Sequence, residues 1–146
     1  MAEPDPMDVE KVLECLNRAL VLQQRSVLQF TMGAGSMFGL EYQAVSDALW
    51  RFARAELEDT KLLVEKITAL GGDPTVEVGA LRWKSDPAGA VDAFIEAEDE
   101  TIAALHAVIP HSGQEPRSEA LEHLMEHLIM RKQNQVDWLR RARRQP

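Results

Sequence analysis

The stretch "ARAELEDTKLLVEKITALGGDP", residues 53–74, predicts the second half of a long helix that stops at a double glycine. A double glycine followed by Asp-Pro is typical of a helix C-terminus. Apolar residues recur at steps of three and four and indicate one buried stripe: Leu49, Phe52, Leu63, Ile67 and Leu70. The same stripe passes through Glu56 and Asp59. Because a buried carboxylate needs a cation, a proton or a hydrogen-bond donor, we expect this helix face to include polar partners as well as apolar core residues.

Composition favours one globular domain covering residues 1–146, since 27% of the residues are charged and 45% are apolar. A net charge of −8 argues against a general affinity for nucleic acid, which needs a clustered positive face. The acidic N-terminus lacks the apolar core of a signal peptide, and no apolar run approaches membrane-spanning length. We therefore expect a cytoplasmic protein that does not enter a membrane.

Two local features allow only modest predictions. Cys15, the single cysteine, lies among leucines and is expected to be a small buried hydrophobic residue. The basic run "RRARR", residues 140–144, is explained either by the favourable interaction of cations with a helix C-terminus or as a tail that binds an acidic partner or nucleic acid.

Strand signals are nearly absent, and four long amphipathic segments remain between the prolines and glycines. The predicted helices run from about Asp8 to about Met37, from about Glu41 to Leu70, from the cap at Asp86 to Pro110, and from near Pro116 almost to the C-terminus. This pattern predicts an all-α four-helix bundle.

Residues 71–85, which join the second and third helices, are too many for a simple hairpin. About 15 extended residues span close to 50 Å, whereas each helix is about 40 Å long. We therefore expect a long crossover that runs the length of the bundle and makes the second and third helices parallel.

Each apolar stripe is interrupted near its middle by polar residues that lie about 12 to 16 residues from a helix end, or roughly 20 Å along the axis. The interruptions are Gln23 on the first helix, Glu56 and Asp59 on the second, Glu98 on the third, and Lys132 and Gln135 on the fourth. We expect these side chains to meet at one level of the core, where three carboxylates require a cation or protons.

The pattern resembles the ferritin-like superfamily and is most similar to bacterioferritin. The resemblance lies in "VLECLNRALVLQQRSVLQF" on the first helix, "ELEDTKLLVEKITALGGDP" on the second, "EDETIAALHAVI" on the third and "RKQNQVDWL" on the fourth. In that family, a Glu from each of two helices and a Glu-x-x-His pair from each of the other two bind a di-iron centre that oxidises ferrous iron before storage. The resemblance therefore implies an iron-binding or iron-storage protein and, if the site is active, a ferroxidase.

Only part of that site is present in this sequence. Glu56 and Glu98 fall on ligand positions, Asp59 stands in place of the first His, and Gln23 replaces the first-helix Glu. The second Glu-x-x-His pair is replaced by Lys132 and Gln135, and the haem-binding Met by Leu57, so haem is not expected. The chain also ends soon after the fourth helix, without the short fifth helix found in the family.

Two interpretations remain. Either Glu56, Asp59 and Glu98 bind iron with help from Gln23 or Gln135, or the Lys132 ammonium has replaced the metal and pairs with Glu56 and Glu98. The second interpretation predicts a metal-free, non-catalytic subunit that acts through protein–protein contacts.

Predictions about partners follow from the same comparison. The protein is expected to form at least a homodimer, and it could associate with another ferritin-like subunit.

His123 and His127 are four residues apart on the fourth helix, a spacing that can bind a metal, but their acidic neighbours favour a solvated or dimer-facing surface.

Overall fold

A computed structural model of the chain describes residues 5–144. It contains four α-helices and two short 3-10 turns, and no strand occurs among these residues. The helices are α1 (Val9–Ser36), α2 (Gln43–Ala69), α3 (Pro87–His106) and α4 (Pro116–Arg143), and the 3-10 turns are Leu40–Tyr42 and Ile109–His111. The prediction of an all-α four-helix bundle is confirmed.

Local sequence signals explain where several of the helices begin and end. Asp8 caps α1 by accepting from the Lys11 amide at 3.1 Å. Asp86 caps α3 by accepting from the Gly89 amide at 2.7 Å, and a proline occupies the first turn of that helix. At the end of α2, Gly71 adopts a φ of 88°, a left-handed conformation that glycine reaches without strain.

Some boundaries and burial differ from the predictions. The third helix was predicted to reach Pro110 but ends at His106, and Ile109 lies with Pro110 in a separate 3-10 turn. On the first helix, apolar spacing predicts one buried stripe made of Leu13, Leu16, Leu20, Val27 and Phe30. The buried face is rotated slightly from this stripe, which leaves Leu13 and Val27 half-buried. Cys15 was expected to be a small buried hydrophobic residue; it is half-buried and packs against the edge of an apolar cluster. The reason is that neighbouring helices approach α1 from two sides, and periodicity alone gives only their mean direction.

The helix directions follow from contacts made by α1. Near one end of α1, a Cβ atom added at Gly33 would approach Leu49 of α2 and Phe94 of α3. Nearer the N-terminus of α1, Gln23 contacts Glu56 of α2, and Arg25 donates to the Ala97 carbonyl of α3. Residue numbers on α2 and α3 therefore rise together while those on α1 fall. Helices α2 and α3 are parallel, as the long crossover predicted.

The crossover, residues 70–86, is fastened along α1. Backbone amides at three points along it donate to α1: the Thr75 amide to Asn17 Oδ1 (2.9 Å), the Gly79 amide to the Val21 carbonyl (3.1 Å), and the Arg82 amide to Gln29 Oε1 (2.7 Å). Two α1 side chains donate in return, Asn17 to the Asp73 carbonyl (3.1 Å) and Gln24 to the Thr75 carbonyl (3.4 Å). A charged cluster adds to them, because Glu100 of α3 pairs with Arg25 of α1 at 3.1 Å and with Arg82 of the crossover.

Two apolar clusters fill the bundle. One includes Leu16, Leu63, Leu105 and Met125, and the other includes Phe30, Leu49, Phe94 and Leu139. A layer of buried polar side chains lies between them. Because a buried polar layer costs free energy unless its members are paired, it is the part of the core that needs a specific explanation.

Within residues 5–144, no helix is both long and apolar enough to cross a bilayer.

Candidate functional site

All four helices contribute to the polar layer between the two apolar clusters. The six polar residues singled out in the sequence are all buried: Gln23, Glu56, Asp59, Glu98, Lys132 and Gln135. Each lies three or four residues from apolar core positions of its own helix, and this spacing turns a polar side chain inward. The layer is therefore built by ordinary helix periodicity with polar residues in core positions.

The ammonium of Lys132 lies at the centre of this layer. Lys132 Nζ donates to Glu56 Oε2 at 2.8 Å and to Glu98 Oε2 at 2.7 Å. A longer hydrogen bond of 3.4 Å reaches Ser26 Oγ on α1. All three ammonium protons have acceptors, so the lysine joins three other helices through one charged group.

Gln23 completes the surroundings of Glu56. Its Nε2 donates to the Glu56 carbonyl at 3.1 Å and makes a second, very short contact with Glu56 Oε2. Gln23 thus acts as a neutral hydrogen-bond donor to the Glu56 carboxylate. An amide at this position adds no negative charge beside the two buried acids.

Asp59 does not join Lys132 but faces a different cation. Arg131 Nε lies 3.3 Å from Asp59 Oδ2, and the Arg131 side chain is 34% exposed. The alignment is too poor for a hydrogen bond, which leaves both Asp59 oxygens without a donor among the described residues. The expected single group of three carboxylates is thus divided into a Glu56–Lys132–Glu98 triad and an Asp59–Arg131 pair.

Several oxygens of the layer have no hydrogen-bond donor within the described part of the chain. Besides those of Asp59, they are Gln23 Oε1, Glu56 Oε1, Glu98 Oε1 and Gln135 Oε1. Buried oxygens of this kind are usually satisfied by water, a proton or a cation. The layer therefore has more acceptors than its own side chains can satisfy.

The pKa values in the layer follow from burial and pairing. Burial raises the pKa of Glu98, and the attraction of Lys132 offsets this only in part. Burial likewise raises the pKa of Asp59 against the opposing effect of Arg131. For Lys132, burial disfavours the ammonium, but Glu56 and Glu98 outweigh it, so its pKa is raised and the side chain is a cation at neutral pH.

The donor set does not fit a metal centre while Lys132 is charged. A divalent ion bridging Glu56 and Glu98 would compete with an ammonium that is within 3 Å of both carboxylates, and like charges repel strongly at that range. Within residues 5–144, no three His, Cys, Asp or Glu side chains converge closely enough to hold a metal ion. The triad is a buried ion pair with one additional acid.

Two residues of the layer, Ser26 and Arg131, were not predicted from the sequence. Ser26 is fully buried on α1 and bonds both its own helix and Lys132. Arg131 lies at the rim of the layer and pairs with Asp59. Ser26 could have been found, because it lies three residues after Gln23 on the same face. No sequence pattern indicates Arg131, because the buried stripe of α4 runs through the next residue, Lys132, and Arg131 itself is half-exposed.

The remaining sequence candidates lie on the surface. His123 and His127 are both exposed; His127 contacts Arg131 at 3.0 Å, and His123 lies 3.9 Å from Glu119. Leu57 is exposed on the outer side of α2. Within the basic C-terminal run, Arg140 pairs with Asp99 and Arg143 with Asp92, so two of its cations fasten α4 to α3.

Comparisons with known proteins agree with this architecture. A family model described as "Ferritin-like domain" matches residues 13–145. A crystal structure of ferritin-like, diiron-carboxylate proteins from Bacillus anthracis str. Ames superposes with a TM-score of 0.82 at 22% sequence identity, covering 97% of this chain and 98% of that one. A search of curated protein sequences found no significant match.

Proposed function

The chain belongs to the ferritin-like family, and we propose that it is a subunit of iron metabolism that does not oxidise iron in its own core. One observation carries the proposal: the Lys132 ammonium lies 2.8 Å from Glu56 and 2.7 Å from Glu98, in the place where a metal would have to bind. The carboxylates then serve to neutralise a lysine and to hold the helices in register.

Chemistry supports this assignment over metal binding. The raised pKa of Lys132 keeps the ammonium charged throughout the physiological range, and Gln23 supplies a donor where an anionic ligand would be needed. A cation in the middle of a ligand set lowers the affinity for any divalent ion. The protein is then expected to act through its surface, as a homo-oligomer or beside an active ferritin-like subunit.

A second candidate function is iron binding at the same layer by Glu56, Asp59 and Glu98, with Gln23 or Gln135 assisting. The unpartnered oxygens of these five side chains favour it, because they are acceptors that a cation could satisfy. For this function, Lys132 would have to leave the centre of the layer. This second candidate is the function that the resemblance to bacterioferritin implies, except that it does not include haem. Leu57 stands where the family has its haem-binding Met, and a leucine side chain has no atom that can bind iron.

One experiment separates the two functions. The protein is purified without chelators and analysed for iron, zinc and manganese, and it is then mixed aerobically with ferrous iron while ferric absorbance is followed. Lys132→Glu is treated in the same way, because it supplies a fourth carboxylate in place of the cation. Lys61→Glu makes the same charge change on the surface, where the Lys61 side chain is 80% exposed.

The proposal predicts no stoichiometric metal in the unchanged protein and no oxidation above the buffer rate. We expect Lys132→Glu to bind ferrous or cobaltous ions at least ten times more tightly than the unchanged protein, whereas Lys61→Glu does not. Stoichiometric iron and rapid oxidation in the unchanged protein would instead establish the second candidate.

A further inference from the structure

A groove with a volume of about 740 Å³ lies between α1, the crossover and α3 and opens to solvent. Its apolar lining comes from Val21 and Leu22 of α1, both half-buried, and from Ala103, Ala104 and Ala107 of α3. Because an alanine side chain ends at Cβ, α3 leaves space here that larger side chains would fill. A cavity of this volume is typical of small-molecule sites.

The residues that bound the groove on α3 determine its length. Glu100 and Ala107 are seven residues apart, or about 10 Å along the helix axis. Glu100 closes one end, because it pairs with Arg25 of α1 at 3.1 Å and with Arg82 of the crossover. A partner helix of ordinary length, about 16 Å, would not fit between these limits, so the groove suits a small molecule.

Two residues of opposite charge line the groove, Arg18 of α1 and Glu77 of the crossover, and both are exposed. Among residues 5–144, neither side chain forms an ion pair, and the two do not pair with each other. Glu100 differs from them, since two guanidiniums already share its charge. The groove therefore offers one cation and one anion to a ligand.

The crossover is fastened so that Glu77 lies opposite Arg18. The backbone amides two residues before and two residues after Glu77 bond α1 at Asn17 (2.9 Å) and at Val21 (3.1 Å). Arg18 lies between these two points on α1. The two charges are thus at similar heights on facing walls. Glu100 meets α1 seven residues beyond Arg18, so both charges lie toward the other end of the groove.

A zwitterion matches this pair of charges. In an α-amino acid the ammonium and the carboxylate are bonded to one carbon, so a single head group can contact both walls at the same height. Its carboxylate would accept from Arg18, and its ammonium would donate to Glu77. An apolar side chain would then lie along the alanines toward Glu100. A simple anion would be repelled by Glu77, and a simple cation by Arg18.

We propose that the groove binds a free α-amino acid with a large apolar side chain, with its carboxylate on Arg18, its ammonium on Glu77 and its side chain against Ala103 and the neighbouring alanines. This goes beyond the proposed function and does not depend on whether the polar layer binds metal, since different residues form the groove. The expected dissociation constant is about 1 mM, because exposed ion pairs are weak and the groove is open.

Saturation-transfer difference NMR on the full chain tests the proposal with phenylalanine as the probe, since this method detects weak ligands of a protein of any mass. We expect saturation transfer to the ring protons. N-acetylphenylalanine, which lacks the ammonium, and phenylalaninamide, which lacks the carboxylate, should each bind at least about fivefold more weakly. Serine has the same head group without the apolar side chain and should bind at least about tenfold more weakly.

Substitutions locate the bound ligand. Ala103→Leu should fill the groove and weaken phenylalanine binding at least about tenfold, whereas Ala120→Leu, the same change at an exposed position of α4, should not. Arg18→Gln and Glu77→Gln should each weaken binding about fivefold, and Arg54→Gln, at an exposed arginine of α2, should leave it unchanged. Circular dichroism of each variant verifies that the helices are intact.

Three results would overturn the proposal. The first is the absence of saturation transfer at about 10 mM phenylalanine. The second is binding that Ala103→Leu leaves unchanged, which would place the ligand elsewhere on the protein. The third is binding of the acetylated or the amidated compound as tight as that of phenylalanine, which would show that the groove does not recognise a zwitterionic head group. Metal content and iron oxidation test the proposed function separately.

Discussion

Replacement of Lys132 by methionine tests whether the triad is held together by charge. Methionine has nearly the length of the lysine stem, so the space around a side chain that is 1% exposed stays filled. What is lost is the ammonium and its hydrogen bonds to Glu56, Glu98 and Ser26. Removing one partner of a buried ion pair costs about 3 to 5 kcal/mol, because the remaining charges are left uncompensated. For a chain of this size that corresponds to a fall in melting temperature of roughly 6 to 20 °C.

The measurement is urea unfolding followed by circular dichroism at pH 7.5 and at pH 5, at one fixed protein concentration because association would add to the apparent stability. Without the ammonium, Glu98 should take up a proton more readily, so the loss of stability should shrink at pH 5. The double variant Lys132→Met/Glu98→Gln should recover part of the loss, since it removes one of the unpaired acids. Lys61→Met, a matched change at an exposed lysine, is expected to alter the unfolding free energy by less than about 0.5 kcal/mol.

Two results would refute this reasoning. An unfolding free energy that Lys132→Met leaves unchanged at pH 7.5 would show that the ammonium does not hold the acids. A loss of the same size at both pH values would show that packing, and not charge, is responsible.

Two further predictions concern other parts of the bundle. Gly33→Ala should destabilise the protein by about 1 to 3 kcal/mol, because the added Cβ would lie 2.7 Å from a leucine methyl and 2.9 Å from a phenylalanine ring. Gly35→Ala is the control: its added Cβ would have nothing within 4 Å, so the variant should be neutral or stabilised by up to about 1 kcal/mol. Thermal unfolding of both variants checks this pair, and equal effects would contradict it. The pKa of Asp59 is raised above its usual 3.8, so its contribution to stability is present below pH 3.8 and is lost as the pH rises through the folded-state value. Asp59→Asn, which does not titrate, should therefore gain stability relative to the unchanged protein between pH 4.5 and pH 7 in urea unfolding, and a difference that is independent of pH would contradict the raised pKa.

The fold of this protein could be predicted largely from the sequence. The repeat of apolar residues every three or four positions determines which face of each helix is buried, and the double glycine, Asp86 and the prolines determine where helices stop and start. The length of residues 71–85 was enough to predict a crossover and parallel second and third helices. The same periodicity turned Lys132 and Glu98 inward, because a side chain's rotation about its own helix axis depends only on its position in the chain.

Only the tertiary structure decided which charges meet. Asp59 and Glu56 are three residues apart on one helix face, yet Asp59 faces Arg131 while Glu56 and Glu98 share Lys132. The choice depends on distances of a few ångströms between helices and on the reach of long side chains across them. Periodicity specifies the direction in which a residue points but not which atom of the neighbouring helix lies there. For that reason the sequence could place these acids at one level of the core, and only the packed helices could assign a cation to each.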